Sequence, residues 1–139
     1  MLIMMKYNLK PVEVDFVVRT TTMSFQVSER DSLPVTIEVA ISNHECQDEV
    51  IKQAVIDFPV FAKLEYAMLN FGEANYDDFE VVDNTVDNLG LYYVTNSSWD
   101  QSSFDPLQRL NLAHFLIVGY DSYIEVLASN NFEVKFLDI

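Results

Sequence analysis

Few side chains in this sequence could act as nucleophile, acid–base group or soft metal ligand. There are two histidines, His44 and His114, and one cysteine, Cys46. His114 lies among Leu112, Leu116 and Val118 in strand alternation, which reads as a satisfied core or edge histidine. Its functional reading pairs it with Asp121 or Glu125 across the Gly119 turn, as a general base with the carboxylate that orients it. A small hydrolase or ligand-binding enzyme would use such a pair. His44 and Cys46 offer two ligands with no second pair, which falls short of a zinc site. A histidine at a helix start and a small buried thiol account for them. Asp83, Thr85 and Asp87 have the odd-position spacing of a calcium loop. However, Asn88 stands where the sharp-turn glycine is required, and Val94 where the bidentate glutamate belongs. Paired carboxylates for glycoside chemistry are not singled out by spacing among 22 acids. Three glycines leave no phosphate-cradling loop. The expectation is therefore no cofactor, no bound metal and no assigned catalytic residue, with enzymatic activity the weaker reading.

Charge is more informative than motif. The net charge is −14, from 22 acids against 8 bases, and its distribution is uneven. From Leu64 to Gln108 there is no Lys or Arg, while Glu65, Glu73, Asp77, Asp78, Glu80, Asp83, Asp87, Asp100 and Asp105 all fall there. Tyr66, Phe71, Tyr76, Phe79, Tyr92, Tyr93, Trp99 and Phe104 share the segment. Carboxylates without local cations steer basic partners inward, and Tyr and Trp anchor interfaces at low entropic cost. This composition points to a surface for a basic protein, with Asp77, Asp78, Glu80, Asp83, Asp87, Trp99 and Asp100 as contact residues. The bland counterpart is an acidic loop whose rings fill the core. Direct nucleic-acid binding lacks its basic footprint. A nucleic-acid mimic or a structural subunit are further alternatives, and oligomeric state is not legible.

These residues must be carried by a fold. A length of 139 residues suits one domain spanning 1–139, and a composition that is half apolar and rich in aromatics argues against disorder. A single cysteine excludes an internal disulfide and fits a reducing compartment. No signal-like or membrane-spanning apolar run is present, so a cytoplasmic location is expected. Alternation over Val12–Val18, Met23–Val27 and Val35–Ile41 predicts an N-terminal antiparallel meander. The run Thr20-Thr21-Thr22 makes a poorly marked turn within it. Ser42 and Glu45 have capping-box spacing, and Val50, Ile51, Ala54, Val55 and Phe58 follow at helical spacing. Pro59 would end or kink that helix. Phe61, Leu64, Met68 and Phe71 form a second helical stripe ending at Gly72. Residues 73–108 are irregular, with short strands possible at Phe79–Val82 and Leu89–Val94. Leu110–Ile139 divides into three apolar pieces, read as a buried meander on which the rest packs. Its middle piece, Tyr123–Ser129, favours a strand by composition, although Ser122 and Glu125 also have capping-box spacing. The expected fold class is α+β. An antiparallel sheet from the two terminal meanders would carry one or two helices, residues 45–71, on one face.

The run His114-Phe115-Leu116-Ile117-Val118-Gly119-Tyr120-Asp121-Ser122-Tyr123-Ile124-Glu125-Val126-Leu127-Ala128 resembles the C-terminal segment of small bacterial proteins. Some of these are grouped with immunity proteins of contact-dependent or polymorphic toxin systems. The resemblance covers about fifteen residues and carries no catalytic motif. It implies a small cytoplasmic protein that binds and neutralises one cognate toxin. For the acidic segment to matter, that toxin must be basic, as a nuclease would be.

Overall fold

The computed structural model describes residues 7–28, 32–42, 49–67, 79–81, 90–118 and 123–137. Ten strands occur among them: β1 (Tyr7–Pro11), β2 (Val17–Phe25), β3 (Leu33–Ser42), β4 (Glu49–Phe58), β5 (Phe61–Ala67), β6 (Phe79–Val81), β7 (Leu91–Val94), β8 (Leu112–Val118), β9 (Tyr123–Ser129) and β10 (Glu133–Leu137). They form a six-stranded sheet in the order β5-β9-β8-β7-β1-β6 and a four-stranded sheet in the order β10-β4-β3-β2. All pairings are antiparallel except β1 with β6, which run parallel.

The α+β expectation is therefore corrected: the described residues contain no helix, and much of the expected helical stretch is strand. The physical reason lies in two local features. In β4, Ala54, Ile56 and Phe58 alternate into the core while Val55 lies half-buried on the other face. With apolar residues on both faces, the period-two signal reads equally as i, i+4 spacing. The β-branched Val50, Ile51, Val55 and Ile56 decide for strand, because branching at Cβ restricts χ1 in a helix and suits a pleated surface. In β5, the register against β9 slips between Phe61 and Lys63. The slip puts Phe61 and Leu64 on the same core-facing side although they are three residues apart. A β-bulge has reproduced helical spacing. Residues 43–48, with the capping-box Glu45, and Met68, Phe71 and Gly72 lie outside the described residues.

The two meanders are also rearranged. β2 runs through the threonine triplet as one strand, its register against β3 shifting between Val18 and Met23. Tyr123–Ser129 is a strand, and β8 and β9 pair as expected. β10, however, leaves them and pairs with β4 of the other sheet. The crossing occurs at residues 130–132, and Phe132 packs against Phe58 and Phe115 at ring-centroid distances of 5.8 and 5.5 Å. One core joins the two sheets: Val35, Ile37, Val39, Ala54, Ile56 and Phe58 from one, and Leu91, Phe115, Ile117, Ile124, Val126 and Ala128 from the other. Each large side chain sealed there contributes about 1.5–3 kcal/mol relative to exposure. The larger sheet also buries its outer face, where Leu9, Tyr92, Val94 and Leu116 form a second cluster. That second burial explains why β8 and β9 read as almost unbroken apolar runs, and it places His114 and Glu125 away from water.

Candidate functional site

His114 and Glu125 lie on the outer face of the larger sheet. Within β8, Phe115 and Ile117 point to the inter-sheet core, so His114 and Leu116 point outward. Within β9, the register pairs Leu127 with His114 and Glu125 with Leu116, which makes His114 and Glu125 diagonal neighbours. Their side chains meet through Nε2 and Oε1 at 2.8 Å, with 0% and 3% of their surfaces exposed. On the other side of the ring, His114 Nδ1 lies 2.6 Å from Ser97 Oγ, and Ser97 Oγ accepts the Trp99 backbone N–H at 3.2 Å. The indole of Trp99 stacks on the imidazole at 4.0 Å and 17°. Tyr7 meets the imidazole edge-on at 5.6 Å, and its hydroxyl donates to Glu125. Burial, then the bond to Glu125, pushes the Tyr7 hydroxyl well above its ordinary pKa. Lys63 Nζ stands 4.3 Å from the centre of the indole, a cation–π contact.

With the ring proton placed on Nε2, the bonds run in one direction through the site. Trp99 N–H donates to Ser97, Ser97 O–H to Nδ1, Nε2–H to Glu125, and Tyr7 O–H to the same carboxylate. Nucleophile, base and carboxylate are thus within the reach that acyl-transfer chemistry needs. The arrangement is nevertheless sealed. One ring face is covered by Trp99 and the side chain has no exposed surface. What these contacts do is fasten the start of the loop to the sheet.

That loop, residues 95–111, joins β7 to β8. Its first residues are tied to β1: Thr95 N–H donates to Asn8 C=O at 2.9 Å, and Asn96 Oδ1 accepts the Asn8 N–H at 2.7 Å. In its middle, the Asp100 carboxylate accepts from Ser102 Oγ at 2.9 Å, Ser103 Oγ at 2.8 Å and Ser103 N–H at 3.2 Å. These bonds, led by the Ser103 hydroxyl, hold the Asp100 carboxyl below its ordinary pKa. Further on, Asp105 accepts the N–H groups of Arg109 and Leu110, both at 2.9 Å. At its end, Asn111 C=O accepts the Asn130 N–H at 3.1 Å. Asp100 and Asp105 thus bond back onto the loop itself, while Phe104 is 45% and Leu107 67% exposed.

Of the expected contact residues, Trp99 and Asp100 fall together in this loop, Trp99 half-buried on His114 and Asp100 exposed. Glu80 lies in β6, its backbone opposite Asn8. Asp77, Asp78, Asp83 and Asp87 lie outside the described residues, as do Asp121, His44 and Cys46. Of the rings in the acidic segment, Tyr92 is buried, Tyr93 packs on the core, and Tyr66 and Phe104 are exposed. Sequence reasoning did not find Ser97, Tyr7 or Lys63, nor the exposed Leu107. Ser97 carried no signal, since it lies 17 residues from its partner inside a run of loop composition. Among the described residues, no group of three His, Cys, Asp or Glu side chains is placed to hold a metal ion. No helix among them is long and apolar enough to cross a membrane.

Comparison with known proteins gives no match, whether to protein-family models, to characterised proteins or to solved structures. The class of protein is thus defined by its architecture alone, two packed β-sheets with a long, internally fastened loop.

Proposed function

We propose that this is a non-enzymatic binding protein, an inhibitor or immunity protein that neutralises a basic toxin, and that the loop 95–111 forms part of its contact surface. The observation that carries this reading is the exposure of Phe104 and Leu107 on a loop whose polar side chains hold it in shape. A 17-residue connection without regular structure is long for a compact domain, and such loops usually serve function. Exposed apolar side chains on a fixed loop lower the ordering cost of binding and suit the centre of an interface. The net charge of −14 favours a cationic partner by long-range attraction. The resemblance of residues 114–128 to immunity proteins points the same way.

The test is co-expression with a basic toxin encoded beside this protein. The parent chain is expected to protect growth and to bind the purified toxin. A Phe104→Ser, Leu107→Ser double variant should melt as the parent does and bind at least about tenfold more weakly. Reversing Asp77, Asp78, Asp83 and Asp87 together should slow association and flatten its salt dependence. Full protection by the double variant would remove the loop from the interface.

One observation favours a second reading. The contacts of 2.6 and 2.8 Å through Ser97, His114 and Glu125 would suit a hydrolase with Ser97 as nucleophile and His114 as its base. Covalent labelling of Ser97 by a fluorophosphonate, abolished in His114→Ala, would support that reading over the first.

A further inference from the structure

A second feature of the same loop lies apart from the relay and from the exposed Phe104 and Leu107 side chains. A cleft of about 390 Å³ opens between Gln101, Ser102, Asp105, Gln108, Asn111 and Leu112. Its volume falls within the span of small-molecule sites, roughly 300–1,000 Å³. Its lining is chemically narrow. Both Asp105 oxygens are occupied by the backbone N–H groups of Arg109 and Leu110, and Ser102 donates its proton to Asp100. What remains for a ligand is the side-chain amides of Gln101, Gln108 and Asn111, which have no hydrogen-bond partner among the described residues, over the apolar Leu112. Each amide offers both a donor and an acceptor, and none carries charge.

The backbone supplies an independent observation. Gln108 and Asn111, with φ of 54° and 52°, are the two non-glycine residues in the left-handed region among those described. Asn tolerates this region, whereas Gln has no such allowance. Both outliers line one cleft, and a disfavoured conformation retained at a cavity wall is a pointer to function.

We infer that this cleft binds a neutral polyhydroxylated ligand, a saccharide of one or two rings. Vicinal hydroxyls donate and accept in pairs, which is the pattern that three amides lining one cleft can meet. An anion would be opposed by the net charge of −14, and the one lining carboxylate, Asp105, already accepts two backbone N–H groups, so that uncharged amides make up most of the polar lining. This inference is independent of the toxin-binding proposal, since it needs neither the partner nor Leu107.

The experiment is a heteronuclear NMR titration of the full chain with maltose, lactose, cellobiose and N,N′-diacetylchitobiose at millimolar concentration. Saturable shifts are expected with at least one probe, concentrated on the side-chain amides of Gln101, Gln108 and Asn111. A Gln108→Gly variant should keep or raise the melting temperature, because glycine adopts the positive φ freely. It should at the same time weaken saccharide binding by at least about tenfold, since the polar groups of a bound sugar lose a partner. Three outcomes would overturn the inference: no saturable shift with any of the four sugars, shifts centred away from the cleft, or undiminished binding by Gln108→Gly. A stronger response to Nα-acetylarginine amide than to every sugar would also do so, by marking a cation site. Growth protection in the toxin assay is unaffected by any of these results.

Discussion

Glu125 on β9 accepts the Nε2–H of His114 on β8 at 2.8 Å, diagonally across two strands in the middle of the larger sheet. Pairs sealed this far from water contribute little net stability when complete, and cost much when one partner is removed. Glu125→Ala leaves His114 and the Tyr7 hydroxyl without their shared acceptor. It is expected to lower the unfolding free energy by about 3–5 kcal/mol. A double His114→Leu, Glu125→Leu variant should recover most of that loss, because neither polar group remains. Urea denaturation followed by the emission of Trp99, the single tryptophan, measures all three chains. If the double variant were as unstable as Glu125→Ala, packing and not the polar pair would be the cause.

Tyr7 makes the same network sensitive to high pH. Burial and the bond to Glu125 raise its folded pKa above the ordinary 10.0. A folded pKa raised in this way favours the protonated hydroxyl in the native state. The associated stability is fully present below pH 10, and is lost as pH rises from there towards the folded value. The parent chain should therefore lose more stability between pH 9 and pH 11 than Tyr7→Phe does, although Tyr7→Phe starts lower at neutral pH. Parallel pH dependences for the two chains would contradict the assignment.

Gly90 fixes the approach of the two sheets at the start of β7. Its φ is 104°, and a Cβ there would stand 2.5 Å from Val18 Cβ, on the opposing sheet. Its carbonyl also accepts the Val118 N–H at 2.7 Å. Gly90→Ala thus combines a strained backbone with a steric overlap that a branched side chain cannot swing away from. A loss of about 2–5 kcal/mol is expected from the two effects together. Val18→Ala in the same chain should return part of it, and differential scanning calorimetry of the single and double variants would show whether it does.

How far the chain could be read in advance depended on where each apolar face lay. β3 was legible because Val35, Ile37 and Val39 alternate with Thr36 and Glu38, one face buried and one half-exposed. β8 and β9 were legible as apolar runs of strand length. β4 was not, because its outer face also carries Val55, and β5 was not, because a bulge set Phe61 and Leu64 three apart. The departure of β10 to the second sheet left no trace, since alternation of Phe132, Val134 and Phe136 describes a strand without naming its neighbour. Hairpin logic offers Asp121 or Glu125 as a partner for His114 without choosing between them, and Glu125 is the one in contact among the described residues. Ser97 and Tyr7 complete the network from 17 residues and 107 residues away along the chain, distances that no local pattern encodes. The exposure of Phe104 and Leu107 was hidden for the opposite reason: apolar residues in a polar loop look the same whether they anchor it or face water.

The fastening of that loop can be tested at Asp105, whose carboxylate bridges Arg109 N–H and Leu110 N–H. These two amides lie between the left-handed residues Gln108 and Asn111, where the backbone reverses and no strand partner is at hand. Asp105→Ala removes both acceptors and should cost about 1–3 kcal/mol if the amides are left poorly solvated, less if water replaces the carboxylate. The clearer readout is local. Amide hydrogen exchange at Arg109 and Leu110 should accelerate strongly, while exchange at Phe115, Ile117 and Val126 in the shared core should follow global stability alone. Asp105→Asn keeps one acceptor oxygen and is expected to fall between the two. Toxin affinity should weaken in the same order, since a loop that must be ordered on binding loses the advantage of having been held in place beforehand. Unchanged exchange at Arg109 and Leu110 in Asp105→Ala would mean that the turn is held by something other than this carboxylate, and the preformed interface would lose its physical basis.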